Sequence, residues 1–170
     1  MVDRQFKISA VGRLRGLAIA GLAIAAVGAC GPFCMSGKAA VTNARVDSSF
    51  TCPNPSTDHP YDVHGTIDMD NGTGNTVTVK SISETNVTVT IHGNWSGPLN
   101  AKGGGNVANI SPTSVKSGDK ATIKFTIPFK CTNSGPTVST YGEFEFKFIV
   151  VTSAGTFNLN GANRHRLVIT

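Results

Sequence analysis

Two segments of the chain alternate regularly between apolar and polar residues. The first, residues 120–131, has apolar residues at every second position: Ile123, Phe125, Ile127, Phe129 and Cys131. The second, residues 143–148, alternates charged residues with Phe144, Phe146 and Phe148. A period of two in β-branched and aromatic residues predicts strands with one buried and one solvent-facing side. We expect these two segments, joined as a hairpin, to form the centre of a β-sheet core.

Shorter runs of the same kind, separated by turn-rich segments, extend from residue 44 to the end. They predict strands near residues 44–52, 61–69, 76–82, 86–91, 109–115, 156–159 and 164–169. Asn71-Gly72 indicates a hairpin turn, Gly93 to Asn109 a long flexible loop, and Pro128 a sheet edge or bulge. About eight short strands with no helical pattern predict an all-β fold, an antiparallel β-sandwich.

Residues 114–127 (SVKSGDKATIKFTI) resemble the turn and strand of bacterial immunoglobulin-like modules, where a Gly-Asp turn leads into alternating threonine and aliphatic residues. The resemblance implies an immunoglobulin-like sandwich, a fold often used for adhesion or recognition, and it assigns no catalytic residue. The chain departs from true immunoglobulin domains, in which a tryptophan closely follows the first core cysteine. Here Trp95 lies 43 residues after Cys52.

The first residues of the chain have the pattern of an export leader. Residues 1–16 are polar and basic, and residues 17–29 are an uncharged apolar run of thirteen residues, as in a signal peptide. At its end, Val27-Gly28-Ala29-Cys30 resembles the bacterial lipobox, whose cysteine is diacylated and becomes the mature N-terminus. The resemblance implies lipidation of Cys30, and two acyl chains anchor a protein stably to a membrane.

Two other fates of the leader stay open. Ordinary signal peptidase could cut after Ala29, or the leader could be retained, since the 22 residues between Arg15 and Lys38 carry no charge. All three fates export the domain. We therefore predict a signal peptide or anchor over residues 1–29, a tether over 30–43 and a β-sandwich over 44–170. The predicted location is the cell envelope or the extracellular space.

The net charge of +5 does not indicate a nucleic-acid partner. Residues 1–40 contain five basic residues and one acidic residue, so four of the five net charges lie in this N-terminal part of the chain. A nucleic-acid surface needs basic residues clustered on a folded face. The folded part of the chain lacks that composition, and the predicted partners are the membrane, through the leader, and a protein or glycan.

Cys52 and Cys131 each end a predicted strand on its buried side. In an exported protein, this placement predicts a disulfide between them, although two buried free thiols remain an alternative. No paired His/Cys spacing typical of a metal site accompanies them, so we predict neither a metal nor a cofactor. Cys34 is left without an assigned role.

The candidate recognition site is the loop that carries the chain's one tryptophan. Trp95, with Asn94 and His92 beside it, lies among glycine and asparagine residues. An aromatic side chain on a loop can stack on a sugar or anchor a protein partner. The alternative is that Trp95 caps the hydrophobic core.

Little in the sequence favours catalysis. There is no Gly-x-Ser-x-Gly elbow, phosphate-binding loop or dinucleotide fingerprint. We therefore predict a non-catalytic binding or structural module, exported and lipid-anchored at the cell envelope. The alternative is a secreted hydrolase or metal-dependent enzyme that uses His59, Asp62 and His64, which lie within six residues of one another.

Overall fold

The computed structural model describes residues 37–53, 59–95, 97–131 and 140–169. These residues form eleven strands. They are β1 (Ala39–Val46), β2 (Ser49–Cys52), β3 (His59–Asn71), β4 (Val77–His92), β5 (Lys102–Asn106), β6 (Ala108–Ser111), β7 (Ser114–Val115), β8 (Lys120–Cys131), β9 (Thr140–Thr152), β10 (Gly155–Asn160) and β11 (His165–Ile169).

The strands form two sheets. The smaller sheet has the order β1-β3-β8-β6, and the larger has the order β2-β11-β9-β4-β5, with β10 beside β9 and β7 beside β4. All pairs are antiparallel except β2 and β11, which run parallel. The buried apolar side chains of both sheets form one core between them. The prediction of an all-β, immunoglobulin-like sandwich is confirmed.

The two phenylalanine-rich segments, β8 and β9, lie in different sheets and face each other across the core. Their inward-facing side chains are buried as the alternation predicts. Phe125 meets Phe148 edge to face at 5.4 Å between ring centroids, and Phe129 meets Phe144 at the same distance. The predicted hairpin between them is therefore wrong, because each strand pairs within its own sheet.

The Cys52–Cys131 disulfide joins the two sheets. The bond links the end of β2 in the larger sheet to the end of β8 in the smaller one, with 5.9 Å between the Cα atoms. Both cysteines are at most 1% exposed. This is the pairing that the strand pattern predicts.

Among the described residues, β8 has a neighbouring strand on only one side at Pro128. Its partner in β3 is Asp62, and the pairing of β8 with β6 reaches no further than Thr126. Because proline has no N–H to donate, this position agrees with the predicted sheet edge.

The domain begins earlier than the sequence predicts. Residues 39–43, assigned to the tether, belong to β1, where Val41 is buried against the core. The predicted first strand, residues 44–52, is two strands, because the chain leaves the smaller sheet after Val46 and joins the larger at Ser49. The small and polar residues of this segment made it resemble a linker, yet Val41 and Ala44 lie in the core and Ala39 packs against it.

The segment after Asn71 connects the two sheets and is not a hairpin turn. β3 belongs to the smaller sheet and β4 to the larger. The buried Asn71 side chain organises the connection: its amide donates to the carbonyls of Asn75, Val115 and Lys116 at 2.8–3.0 Å. Its oxygen accepts from the N–H and hydroxyl of Thr73. Asn71 therefore fixes the β3–β4 connection against the end of β7.

One continuous strand, β4, replaces the two predicted at 76–82 and 86–91. Its register with β9 shifts between Val79 and Ser81, and again between Thr88 and Thr90. The first irregularity inverts the alternation, so the inner positions pass from the odd-numbered Val77 and Val79 to the even-numbered residues Ile82, Glu84, Asn86 and Thr88. The predicted inward direction is therefore wrong for Val87, which pairs with the outward-facing Glu145. After the second shift, Ile91 pairs with the inner-facing Gly142, although it is 42% exposed at the end of the strand.

The glycine run at 103–105, predicted as a flexible loop, forms strand β5. It pairs with β4 from Lys102↔Val87 to Asn106↔Ser83. Gly104 has a φ of 156°, and a Cβ there would approach the carbonyl oxygen of Glu84 to 2.6 Å. A strand needs only backbone hydrogen bonds, and glycine permits the close approach to β4. The predicted 93–109 loop thus contains β5 and the beginning of β6.

The leader, Cys30, Cys34 and residues 30–36 of the predicted tether lie outside the described residues. Within the described residues, no helix is long and apolar enough to cross a membrane.

Candidate functional site

The predicted recognition residues do not form one site. The Trp95 ring lies over Gly142, where a Cβ would collide with it, and packs edge to face on Phe144 at 6.2 Å. His92 lies on the opposite face of the larger sheet, stacked on Tyr141 at 5.0 Å. Asn94 is exposed in the bend between them. Trp95 thus caps one end of the core, the alternative that the sequence left open.

Of the residues of the alternative enzymatic site, His64 has a structural partner outside that site. His64 lies beside Asp47, whose carboxylate accepts from the His64 backbone N–H and lies 2.9 Å from Nδ1. His59 is opposite Cys131 and Asp62 opposite Pro128, on solvent-facing positions of β3. Among the described residues, no three His, Cys, Asp or Glu side chains are grouped so as to hold a metal ion.

The fully buried His165 also has a structural role. Its Nδ1 lies 2.8 Å from the carbonyl oxygen of Asp47, and its Nε2 lies 3.1 Å from the Tyr61 hydroxyl. Since the carbonyl can only accept, Nδ1 carries the hydrogen and Nε2 accepts from the Tyr61 hydroxyl. Burial lowers the pKa of His165, and a neutral ring suits this arrangement.

A groove lies on the outer face of the larger sheet, along β4. We call it the outer groove. Its volume is about 560 Å³, in the range of small-molecule sites. The residues that line it include Thr85, Val87, Lys102, Glu145, Lys147, Asn160 and Arg164.

The outer groove follows from the alternation of short and long side chains across the sheet. The floor is β4, whose outward residues here are the short Thr85 and Val87. Longer side chains rise on both sides, from Lys102 on β5 and from Glu145 and Lys147 on β9. Strands two positions apart in a sheet are about 10 Å apart, so a channel about that wide runs along β4.

The cross-strand register arranges the groove residues in two rows. In one row, Val87 pairs with Lys102 on one side and with Glu145 on the other. In the second, Thr85 pairs with Gly104 on one side and Lys147 on the other, and Lys147 pairs in turn with Asn160. Because Gly104 has no side chain, the second row is open at the β5 edge.

The charges in the outer groove are unevenly paired. Arg164 donates to Glu145 through Nε at 2.9 Å and Nη2 at 2.7 Å, so these two charges neutralise each other. This bond raises the pKa of Arg164. Lys102 and Lys147 have no carboxylate within 4 Å among the residues that the structure describes. The outer groove therefore has a local excess of two positive charges.

An ion-pair cluster continues from the groove along the sheet. Arg166 donates to Glu143 at 2.6 and 3.0 Å, and these bonds lower the pKa of the Glu143 carboxyl. The Arg166 guanidinium also lies 4.5 Å from the centre of the Tyr141 ring. Arg164 links the cluster to the groove through a 3.5 Å contact with Glu143. These paired charges fix β9 and β11 beside the groove.

A polar stripe lies on the inner face of β4, behind the groove floor. Glu84 and Asn86 are 5% and 8% exposed, and the Asn86 amide donates to the Glu84 carboxylate at 3.2 and 3.4 Å. Burial raises the pKa of Glu84, and the Asn86 hydrogen bond only partly offsets this. A buried carboxylate with one amide partner is a destabilising feature at neutral pH.

We expect Glu84→Gln to stabilise the domain at pH 7.5. Because burial raises the folded-state pKa of Glu84 above the ordinary value of 4.5, the folded state binds the proton more tightly than the unfolded chain. The stability that this tighter proton binding gives the folded state is fully present below pH 4.5. It is lost as the pH rises through the folded-state pKa. The urea midpoint of the variant should exceed that of the parent at pH 7.5, and the two should converge below pH 4.5.

The exposed Asp62 provides the matched control for this measurement. Asp62→Asn removes a carboxylate from a solvent-facing position of β3 and should leave the urea midpoint nearly unchanged at both pH values. A Glu84→Gln midpoint at or below the parent value at pH 7.5 would contradict the unfavourable burial of this carboxylate.

Sequence reasoning missed the outer groove. The alternation in β9 did place Glu145 and Lys147 on a solvent-facing side. Their neighbours on β4, β5 and β10 are set by register between segments far apart in the chain. The pairing of β5 with β4 would have indicated the groove. It was not predicted, because the glycines of β5 indicated a loop.

Strand order, the inter-sheet disulfide and the shared core define an immunoglobulin-like β-sandwich. No protein-family model matches the chain, and no curated protein matches its sequence. A solved structure with similarity is the ASH/PapD-like domain of human CEP192 (PapD-like domain 7), at 11% sequence identity and a TM-score of 0.30. The alignment covers 97% of this chain and 95% of that chain. We draw no inference about family, partner or function from so low a TM-score.

Proposed function

We propose that the protein is an exported, non-catalytic β-sandwich that is anchored at the cell envelope through a lipid on Cys30. Its function is to bind a ligand in the outer groove. The observation that carries the binding role is the groove itself: a concavity of about 560 Å³ whose two lysines have no carboxylate partner in the described part of the chain.

Two features support export. The leader has an apolar run followed by Val27-Gly28-Ala29-Cys30, which resembles a lipobox. The inter-sheet Cys52–Cys131 disulfide is a bond that persists in oxidising compartments and is rare in the cytosol. Both features are expected of an exported, lipid-anchored domain.

The pairing of the titratable side chains supports a non-catalytic role. Near the predicted enzymatic segment, His64 is bound to Asp47, and on the larger sheet Glu143 is bound to Arg166. His165 is fully buried and bonded at both ring nitrogens. A general base must be free to take a proton from a substrate, and these groups already bond to other residues of the sandwich.

Anchoring can be tested with a matched pair of cysteine variants. In the parent protein, mass spectrometry of the membrane fraction should find a mature N-terminus at Cys30 that carries acyl chains. Cys30→Ser removes the acylated thiol, so the protein should leave the membrane fraction or keep its leader uncleaved. Cys34→Ser changes a neighbouring cysteine in the same way and should leave acylation and fractionation unchanged.

Three results would contradict the anchoring. One is a mature N-terminus without acyl chains, produced by cleavage after Ala29. Another is an intact leader on the parent protein. A third is a Cys30→Ser variant that fractionates and processes like the parent. Ligand binding in the outer groove is tested separately below, since the folded domain can bind whether or not it is anchored.

A further inference from the structure

We infer that the outer groove binds a small organic molecule that carries a carboxylate or phosphate group, held by Lys102 and Lys147. This rests on the proposed function, in which the groove is the ligand site, and adds the chemistry of the ligand. The four observations that carry it are the charge balance of the groove, its volume, its floor and the commitment of Arg164.

The charge balance selects an anionic group. Among the described residues that line the groove, Glu145 is the one carboxylate, and Arg164 already donates to it twice. Lys102 and Lys147 rise from opposite sides of the β4 floor. Ammonium groups on long flexible stems can turn inward toward a shared anion between them. A cationic ligand would meet two uncompensated positive charges.

The volume and the floor of the groove favour a ligand with an organic part in addition to its anionic group. A space of about 560 Å³ is far larger than an inorganic anion and suits a molecule of sugar size. Val87 and the methylene groups of the lysines give part of the lining an apolar surface. Thr85 and Asn160 contribute a hydroxyl and an amide in the same row as Lys147. These groups suit a body with both apolar and hydrogen-bonding surface.

The ion pair between Arg164 and Glu145 keeps the groove open. If Arg164 were free, its side chain could turn into the groove, and Glu145 could neutralise Lys147. The 2.7 and 2.9 Å bonds between Arg164 and Glu145 hold both groups at the wall. The ammonium groups of Lys102 and Lys147 are therefore available to bind the ligand.

Three probes with one common body test the chemistry. Glucose is neutral, glucuronate carries a carboxylate, and glucose 6-phosphate carries a phosphate. Each is titrated into the ¹⁵N-labelled full domain, and amide shifts of Thr85, Val87 and Gly103 report on the groove. We expect glucuronate, glucose 6-phosphate or both to shift these amides saturably, with glucose at least tenfold weaker. The shifts should weaken with added salt because the attraction is screened.

A charge-matched pair of double variants locates the site. Lys102→Gln/Lys147→Gln removes both groove lysines, and binding of the anionic probe should weaken about tenfold. Lys124→Gln/Lys130→Gln removes the same charge from exposed positions of β8 on the other sheet. Binding by this control should match the parent. Equal losses in both double variants would show nonspecific attraction and overturn the inference.

The remaining outcomes separate this inference from the proposed function. If glucose binds the groove as tightly as the anionic probes, the groove is a ligand site but the anionic chemistry is wrong. If inorganic phosphate alone reproduces the affinity of glucose 6-phosphate, the organic body contributes nothing and the inference is overturned. If no probe shifts the groove amides up to millimolar concentration, the inference fails. Val87→Trp places a larger side chain on the groove floor. Comparing the binding of envelope extracts to this variant and to the parent then decides whether the groove binds any ligand.

Discussion

Reduction of the Cys52–Cys131 disulfide is expected to lower the free energy of unfolding by about 4 kcal/mol. The bond closes a loop with a sequence separation of 79 residues, and loop-closure entropy in the unfolded chain grows with the logarithm of loop length. For a domain of this size, that loss corresponds to a fall in melting temperature of roughly 15 °C. Melting curves with and without reducing agent measure the effect.

The double variant Cys52→Ser/Cys131→Ser is the control for reduction. It should melt near the temperature of the reduced parent, and reducing agent should not change its melting further. Because the two sulfur atoms lie in the core, the serine hydroxyls add some destabilisation of their own, and the variant should melt slightly below the reduced parent. A parent melting curve that reduction leaves unchanged is incompatible with a disulfide that stabilises the fold.

Asn71→Ala is expected to destabilise the domain by about 3 kcal/mol. The side chain is fully buried and makes five hydrogen bonds, three through its amide to main-chain carbonyls and two through its oxygen to Thr73. Alanine leaves the buried carbonyl of Val115 without this donor, and an unsatisfied buried group has a high cost in free energy. Urea unfolding at equilibrium gives the difference.

Two further variants make the Asn71 result specific. Asn71→Asp keeps an oxygen for Thr73 but replaces the amide donor with a carboxylate beside three carbonyl oxygens, so it should destabilise at least as much as alanine. Asn75→Ala removes an exposed side chain of the same type and leaves the Asn75 carbonyl in place, so its effect should be below about 0.5 kcal/mol. Similar values for Asn71→Ala and Asn75→Ala would show that the buried network contributes little.

The regular strands could be predicted from the sequence because their alternation is uninterrupted. In β8 and β9, every inner position except Thr140 and Thr152 is apolar or glycine, and burial follows the period of two. The same parity placed Cys52 and Cys131 on the inner side. Where backbone geometry is regular, a list of residue types is enough to identify the buried face.

The errors occur where backbone irregularity or a change of sheet breaks this rule. In β4, the shift between Val79 and Ser81 moved the polar Glu84 to the inner face, which no hydrophobic pattern could indicate. At Asn71, an Asn-Gly pair typical of hairpins instead leads from one sheet to the other. The outer groove was beyond prediction, because it depends on the register of strands that are distant in the chain.

The effect of a proteolytic cut depends on whether it falls inside or outside the loop that the disulfide closes. If the backbone is cut anywhere between residues 53 and 130, the two pieces stay linked through Cys52 and Cys131. A cut between Cys131 and Thr140 instead frees a C-terminal piece that contains β9, β10 and β11. On a lipid-anchored protein, the first kind of cut would leave every strand tethered to the membrane. After the second, only strand pairing and core packing would retain one wall of the outer groove.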